Sequence, residues 1–562
     1  MAAGADINRL KKSNKCASLR HAQAFAAGIN AGRCRFYPAR SGRLPARTFH
    51  FPATGKMHSL AGVVHSHSSA ASHHESGALR TFRGEAKSAR PSHPLETTLL
   101  IVVAAYLCFL PWALGTMYVW GQSIAFGLAV AGFALSVMKR KYEASISPTG
   151  ASINLVMWPR LVRFPVFWLG LGFLVYIAIG GFNPAYYYNS DVRGWWLTTG
   201  TPVKWLPAGV EAPFAGMNAW RVLLVYSGIW LLACAIWVGF TRRSTVVTLL
   251  TIVVTNGTVL AVIGILQRVT EAKKVLWCIS KPGLSFVSTL LYKNHAGAYF
   301  NLIVAASCVL MAWHFLRASR RMQRSSPAPI FAFCAIIGTL LVFLSNSRTA
   351  AILLAGFILM IAIGYLVWLL TGKSEAQNRI VGLLVPGCFV ILMIVAGQFL
   401  NVENSLRRIE RLFKEDQVQS VEWRTLARKA TFRMAGDNPV YGWGAGSFRH
   451  VFPAYQRDYP EIYKRGKHVL RWEYAHNDYV QGFAELGVIG LLFPASMLGY
   501  WIVSFIRRGV LWRIPMLIGV AGLGLTMVHS WVDFQAHNPA VLGTWCLLWV
   551  IYGRWMQLEP AE

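Results

Sequence analysis

His476 stands in the stretch Tyr474-Ala475-His476-Asn477-Asp478-Tyr479, where a long polar segment gives way to an apolar one. A neutral imidazole there can take a proton from a hydroxyl, which is the work of a general base. The pair Asn477-Asp478 suits a helix N-cap, and a helix that begins there aims its positive dipole end at the same boundary. That end disfavours protonated His476 and favours a nearby anion. A capped membrane helix with an interfacial histidine fits the same residues. Further along, Asp478, Gln481 and Glu485 recur every three to four residues and so share one helix face. Glu485 is about two turns into the apolar run. It reads either as a functional group or as a structural hydrogen bond to a neighbouring helix.

Three more polar clusters stand out, two beside apolar runs and the third within the long polar segment. They are Tyr292-Lys293-Asn294-His295, Ser345-Asn346-Ser347-Arg348-Thr349 and Trp423-Arg424-Thr425-Leu426-Ala427-Arg428-Lys429. The planar fork of Arg348 suits phosphate oxygens, although an arginine snorkelling to the interface also fits. Arg424 reads as a phosphate ligand or as a solvated loop arginine. Lys293 and His295 read as ligands or as interfacial anchors.

The elements that must position these residues are membrane spans. The chain has 562 residues, of which 55% are hydrophobic and 14% charged. Runs of about 20 apolar residues recur, which makes the chain an all-α, polytopic helical membrane protein. Twelve spans are expected, at 97–115, 118–138, 164–182, 219–240, 245–267, 296–316, 328–346, 350–371, 380–400, 479–505, 514–533 and 538–556. Basic clusters such as Lys139-Arg140-Lys141, Arg242-Arg243 and Arg507-Arg508 all follow even-numbered spans, so one face carries them and is cytoplasmic. The four polar clusters then fall together on the opposite face. Spans 6, 8 and 10 start on that face, beside His295, Arg348 and His476. If their N-termini meet, they form a site for a polyanion such as a diphosphate.

The formal charge of +32 invites nucleic acid as a partner until it is mapped. Residues 1–95 hold 15 Lys/Arg against 3 Asp/Glu and read as a basic, disordered extension, with a transit peptide or a later start at Met57 as alternatives. Much of the remaining charge reports topology, so no nucleic-acid role is assigned. Residues 96–400 hold spans 1–9, residues 401–478 form a large, partly helical external loop, and residues 479–562 hold spans 10–12. The loop contains 14 Lys/Arg and 10 Asp/Glu, and its glycine run Gly442-Trp443-Gly444-Ala445-Gly446 reads as a turn. No metal-ligand spacing appears among Cys, His and acidic residues. The nine cysteines give no disulfide framework.

At these residues the chain resembles the O-antigen ligase and polymerase family of bacterial envelope glycosyltransferases. The matching pieces are Tyr292 through Gly297, Ser345 through Ala350, Arg424 through Phe448, and His476-Asn477-Asp478-Tyr479 with Glu485 through Gly490. The resemblance implies a metal-independent, cofactor-free enzyme of the bacterial inner membrane with its active site facing the periplasm. It implies a glycan donor linked to undecaprenyl diphosphate and an acceptor that is lipid A-core, another glycan (as in O-antigen or exopolysaccharide polymerisation) or a protein hydroxyl. It implies His476 as base and Arg348 and Arg424 as catalytic arginines, with Arg428 an alternative to Arg424. Lys293, His295, Asn477, Glu485 and Arg428 are then expected around the substrate. A twelve-span secondary transporter and a non-catalytic membrane scaffold are the rival readings.

Overall fold

The computed structural model of the chain describes residues 93–142, 153–192, 194–280, 285–323, 325–371, 415–465 and 468–559. The expected ninth span (380–400) and nearly all of the 1–95 extension lie outside the described residues. The helices are α1 (Pro94–Trp112), α2 (Val119–Val137), α3 (Pro165–Phe182), α4 (Ala219–Gly239), α5 (Arg243–Val269), α6 (Lys293–Arg320), α7 (Ala328–Leu344) and α8 (Arg348–Thr371). Two helices of the large loop follow, α9 (Glu415–Asp437) and α10 (Phe448–Gln456), and then α11 (Asp478–Arg507), α12 (Ile514–Ser530) and α13 (Pro539–Leu558). Among the described residues, 8 helices are long and apolar enough to cross a membrane, namely α1 to α6, α8 and α11. The chain is a multi-pass helical membrane protein, a form in which every spanning backbone group is satisfied within its own helix.

Polar caps stop and start the helices where the apolar runs break. Asn218, Asn477 and Asn538 each accept a hydrogen bond from a backbone N–H of the helix they precede. Proline occupies the first turn of α1, α3, α7, α12 and α13, where its missing N–H costs nothing.

Helix α6 is the centre of the bundle, and every residue from Asn294 to Leu310 is buried. It comes close to its neighbours through small residues. A Cβ on Gly297 would meet the Ala350 Cβ of α8 at 2.4 Å, and one on Gly522 of α12 would meet the Ala305 Cβ at 2.2 Å. The close approach of α8 brings Arg348, its first residue, towards Lys293, the first residue of α6.

One correction concerns the all-α expectation. Segment 183–218 contains a sheet of β1 (Pro184–Asp191), β2 (Gly194–Thr199) and β3 (Gly209–Glu211), in the order β2-β1-β3. Strand β1 pairs antiparallel with β2, with Tyr188 opposite Leu197, and parallel with β3. The run Tyr186-Tyr187-Tyr188 and the stretch Trp195 to Thr199 are rich in aromatic and β-branched residues, which suit a pleated half-buried surface. Tyr186, Tyr188 and Leu197 pack on the core of the large loop, built from Ala430, Met434, Phe448 and Phe452.

Candidate active site

His476 and Asp533 form the heart of the site. His476 Nδ1 lies 2.8 Å from Asp533 Oδ1. Asp533 is 1% exposed and stands in the turn between α12 and α13. Its other oxygen accepts from the Tyr292 hydroxyl at 3.2 Å and from the Asn294 amide. Burial pushes the Asp533 carboxyl up, but the hydrogen bond and charge of His476, then Arg424 and His295, hold it below the usual carboxylate range.

A second Asp–His pair crosses the first. Asp478 Oδ1 lies 2.9 Å from His537 Nδ1, and Asp478 Oδ2 accepts from the Ala536 N–H at 2.9 Å. The start of α11 thus gives a histidine to the turn before α13 and takes one back. Asn477 accepts from the Val480 N–H at 3.0 Å, as the cap was expected to, and donates to the Trp531 carbonyl at 2.7 Å. Between these ties His476 holds a left-handed backbone, with φ 52°. A non-glycine residue keeps that conformation only when its surroundings impose it.

Phe534 walls the site. Its ring stacks between Tyr292 at 5.2 Å and Tyr474 at 4.3 Å, and meets His476 and His295 edge to face at 4.9 and 4.8 Å. The ring of Trp472 meets His476 at 5.6 Å.

Three cations gather beside this pair. Arg424, half-buried on α9, acts electrostatically on Lys293, on Arg348 and on Asp533. Arg348 is exposed and Lys293 half-buried. Lys293 and Arg348 each begin a helix, so the positive ends of two helix dipoles add to the field. Arg428 instead donates to Thr425 Oγ1 at 2.9 Å on its own helix.

His295 and Glu485 face inward. His295 is 2% exposed, with Nε2 at 3.2 Å from the Phe534 carbonyl and Nδ1 at 3.3 Å from the Asn538 amide. Glu485 accepts from the Gly446 N–H at 2.9 Å and the Phe448 N–H at 3.2 Å, and so clasps the glycine run. Both support the loops around the site.

Sequence reasoning missed Asp533, Phe534 and His537. The expected eleventh span ran to residue 533 and swallowed the aspartate. A signal was present: Asp533-Phe534-Gln535-Ala536-His537 is a short, partly polar turn on the face that carries the other four clusters.

Fold and site together define a multi-pass membrane protein that presents a carboxylate-oriented histidine and a group of cations at one end of its helical bundle. Residues 331–495 match the family model of the O-antigen ligases. The chain therefore carries a domain of that family over this stretch, which is consistent with ligase-type glycan transfer in general terms. The stretch includes Arg348, Arg424, His476 and Glu485, whereas Lys293, Asp533 and His537 lie outside it. No curated protein matches the chain.

Proposed function

We propose that the chain moves a glycan from a polyprenyl diphosphate carrier to an acceptor hydroxyl. The carrier is an undecaprenyl lipid, and the site faces the periplasm from the inner membrane. The observation that carries this reading is the His476–Asp533 pair at 2.8 Å beside Lys293, Arg348 and Arg424.

Asp533 engages Nδ1 of His476, which leaves Nε2 to take the acceptor proton. The side chain is 21% exposed, enough for a hydroxyl to reach it. The hydroxyl oxygen attacks the anomeric carbon, and its proton passes to Nε2. The bond from that carbon to the diphosphate oxygen breaks, and its electron pair leaves on the diphosphate. Arg348, Arg424 and Lys293 then stabilise the added charge. One displacement inverts the anomeric centre. His295, Asn477 and Glu485 hold the loops that carry these groups, and Arg428 supports α9.

The test is transfer by the purified full-length protein in lipid. Polyprenyl diphosphate glycan is offered with lipid A-core, with free repeat unit and with a pilin-like protein. Product with one acceptor names the branch, since ligation, polymerisation and protein glycosylation share this chemistry. His476→Ala and Arg348→Ala are each expected to lower the rate by at least about 10²-fold, and Asp533→Asn by about 10²–10⁴-fold. Wild-type rates in His476→Ala would sink the assignment of the base. Folded protein that transfers to none of the three would sink the whole reading and make a flux assay the next step.

A further inference from the structure

We infer that His537 is a positioning residue for this reaction, a neutral histidine with its proton on Nδ1, and that a second proton on it unseats His476. The positioning role rests on the function proposed above, whereas the tautomer does not.

The tautomer follows from hydrogen-bond logic around Gln481. The buried Ala475 N–H donates to Gln481 Oε1 at 2.9 Å, which puts the amide oxygen there. Glu485 Oε1, an acceptor, lies 3.2 Å from Gln481 Nε2, which puts the amide nitrogen there. That same nitrogen is 2.8 Å from His537 Nε2. The amide can meet these neighbours in one orientation only, so His537 Nε2 must accept. The ring proton is then on Nδ1, donated to Asp478.

A doubly protonated His537 would point an N–H at the N–H of Gln481. The amide could turn to offer its oxygen, but Ala475 N–H would then lose its acceptor and Glu485 would face an oxygen. Ala475 is 0% exposed and directly precedes His476. Its lost bond loosens the left-handed residue that carries the base.

The His537 side chain is 21% exposed, so solvent protons can reach it. His537 lines a cavity of ≈ 60 Å³ together with Arg221, Arg449 and Tyr474. That volume holds a few waters. The charged groups that face it are Asp478 and Glu485 of α11, Glu473 of the loop, Arg449 of α10 and Arg221 of α4. The Tyr474 ring is 5.0 Å away.

Two substitutions separate the two ring nitrogens. His537→Gln supplies an amide oxygen near the Nε2 position and does not titrate. His537→Asn keeps a donor for Asp478 near the Nδ1 position and loses the acceptor for Gln481. In the transfer assay, log kcat of the wild type is expected to fall on the acid side with a limiting slope of about two, one proton for His476 and one for His537. His537→Gln should fall with a slope of about one and keep its neutral-pH kcat within about threefold. His537→Asn should lose about tenfold in kcat at neutral pH with an unchanged KM for the donor. An acid slope in His537→Gln equal to that of the wild type, or a wild-type kcat in His537→Asn, overturns the positioning role. Nitrogen NMR of histidine-labelled full-length protein reads the tautomer without any activity. A neutral Nδ1–H ring that disappears in His537→Gln is expected, and its absence overturns the tautomer even where transfer is intact. Absence of transfer in the wild type overturns the function and leaves the tautomer standing.

Discussion

His450 shows how burial makes a single residue sense pH. Its Nε2 lies 3.2 Å from the Met217 carbonyl, and its ring is covered by Tyr188 and Trp195. Burial, the largest cause, lowers its affinity for a proton, the Met217 carbonyl works against that, and Arg449 and Arg471 lower it further. The folded pKa is therefore below 6.5, the ordinary value. Above that pH neither state is protonated and nothing is lost. As the pH falls below it, the unfolded chain takes the proton first, and stability declines until the folded value is passed. Hydrogen-exchange protection in 448–456, measured relative to the intrinsic exchange rate at each pH, is expected to fall as the pH drops below 6.5, and His450→Gln should flatten that dependence. Asp533 behaves in the opposite sense. Its depressed pKa contributes stability that is fully present above 3.8 and lost only as the pH falls below it. Early acid loss therefore belongs to histidines and not to the Asp533 carboxylate.

The element that decides the shape of the site is α11, which is broken at Gly487, where φ is 64° and ψ −174°. The break frees backbone groups, and the glycine run of the loop takes them up. Trp443 and Gly444 donate to the carbonyls of Ala484 and Glu485 at 2.9 and 2.8 Å, and Val488 and Ile489 donate to those of Pro439 and Val440 at 2.9 and 3.1 Å. From α3, the Tyr176 hydroxyl reaches the Leu486 and Tyr441 carbonyls at 2.6 and 2.8 Å. The loop that carries Arg424 is thus stitched to the helix that begins after His476. A Cβ on Gly487 would lie 2.4 Å from the Val440 carbonyl oxygen, besides straining a left-handed backbone. Gly487→Ala is expected to destabilise by about 2–4 kcal/mol and to expose the loop to protease, whereas Gly499→Ala, with open space around it, should be silent. Equal resistance of the two variants to proteolysis would refute the stitch.

At the scale of the molecule, two polar ends bracket an apolar bundle. One end holds the site. The other is knotted by Glu96, 0% exposed, which accepts from the N–H groups of Thr241 and Arg242 at 3.0 and 3.2 Å and from the Thr245 hydroxyl at 2.7 Å. The buried Arg140 lies 3.5 Å from it. The knot joins the start of α1 to the end of α2 and to the turn between α4 and α5. Glu96→Ala leaves a buried cation unpaired and should cost about 3–5 kcal/mol. Glu96→Gln should cost less, since the amide oxygen still accepts. In the fraction that stays folded, kcat should be unchanged in both. A loss of kcat in folded Glu96→Gln would show that the far end is coupled to the site.

Periodicity and composition were sufficient for the helices. A run of about 20 apolar residues has no other form in a bilayer, and eleven of the twelve expected segments are helical (α1–α8 and α11–α13), eight of them long and apolar enough to cross a membrane, while the ninth lies outside the described residues. The Asn477 cap and the shared face of Gln481 and Glu485 were legible too, because both depend on neighbours a few residues away. The sheet at 184–211 was not, since a half-buried strand needs a partner surface to declare itself. Nor was the break at Gly487, which exists because a loop some 45 residues earlier satisfies the groups it frees. The amino-acid sequence by itself determined a multi-pass helical bundle with histidine, arginine and lysine at the helix starts of one face. Only the tertiary structure decided that His476 is oriented by Asp533, 57 residues away. Hydrogen bonds between distant segments leave no period in a sequence, and only the packing of α6, α11, α12 and α13 brings these partners within reach.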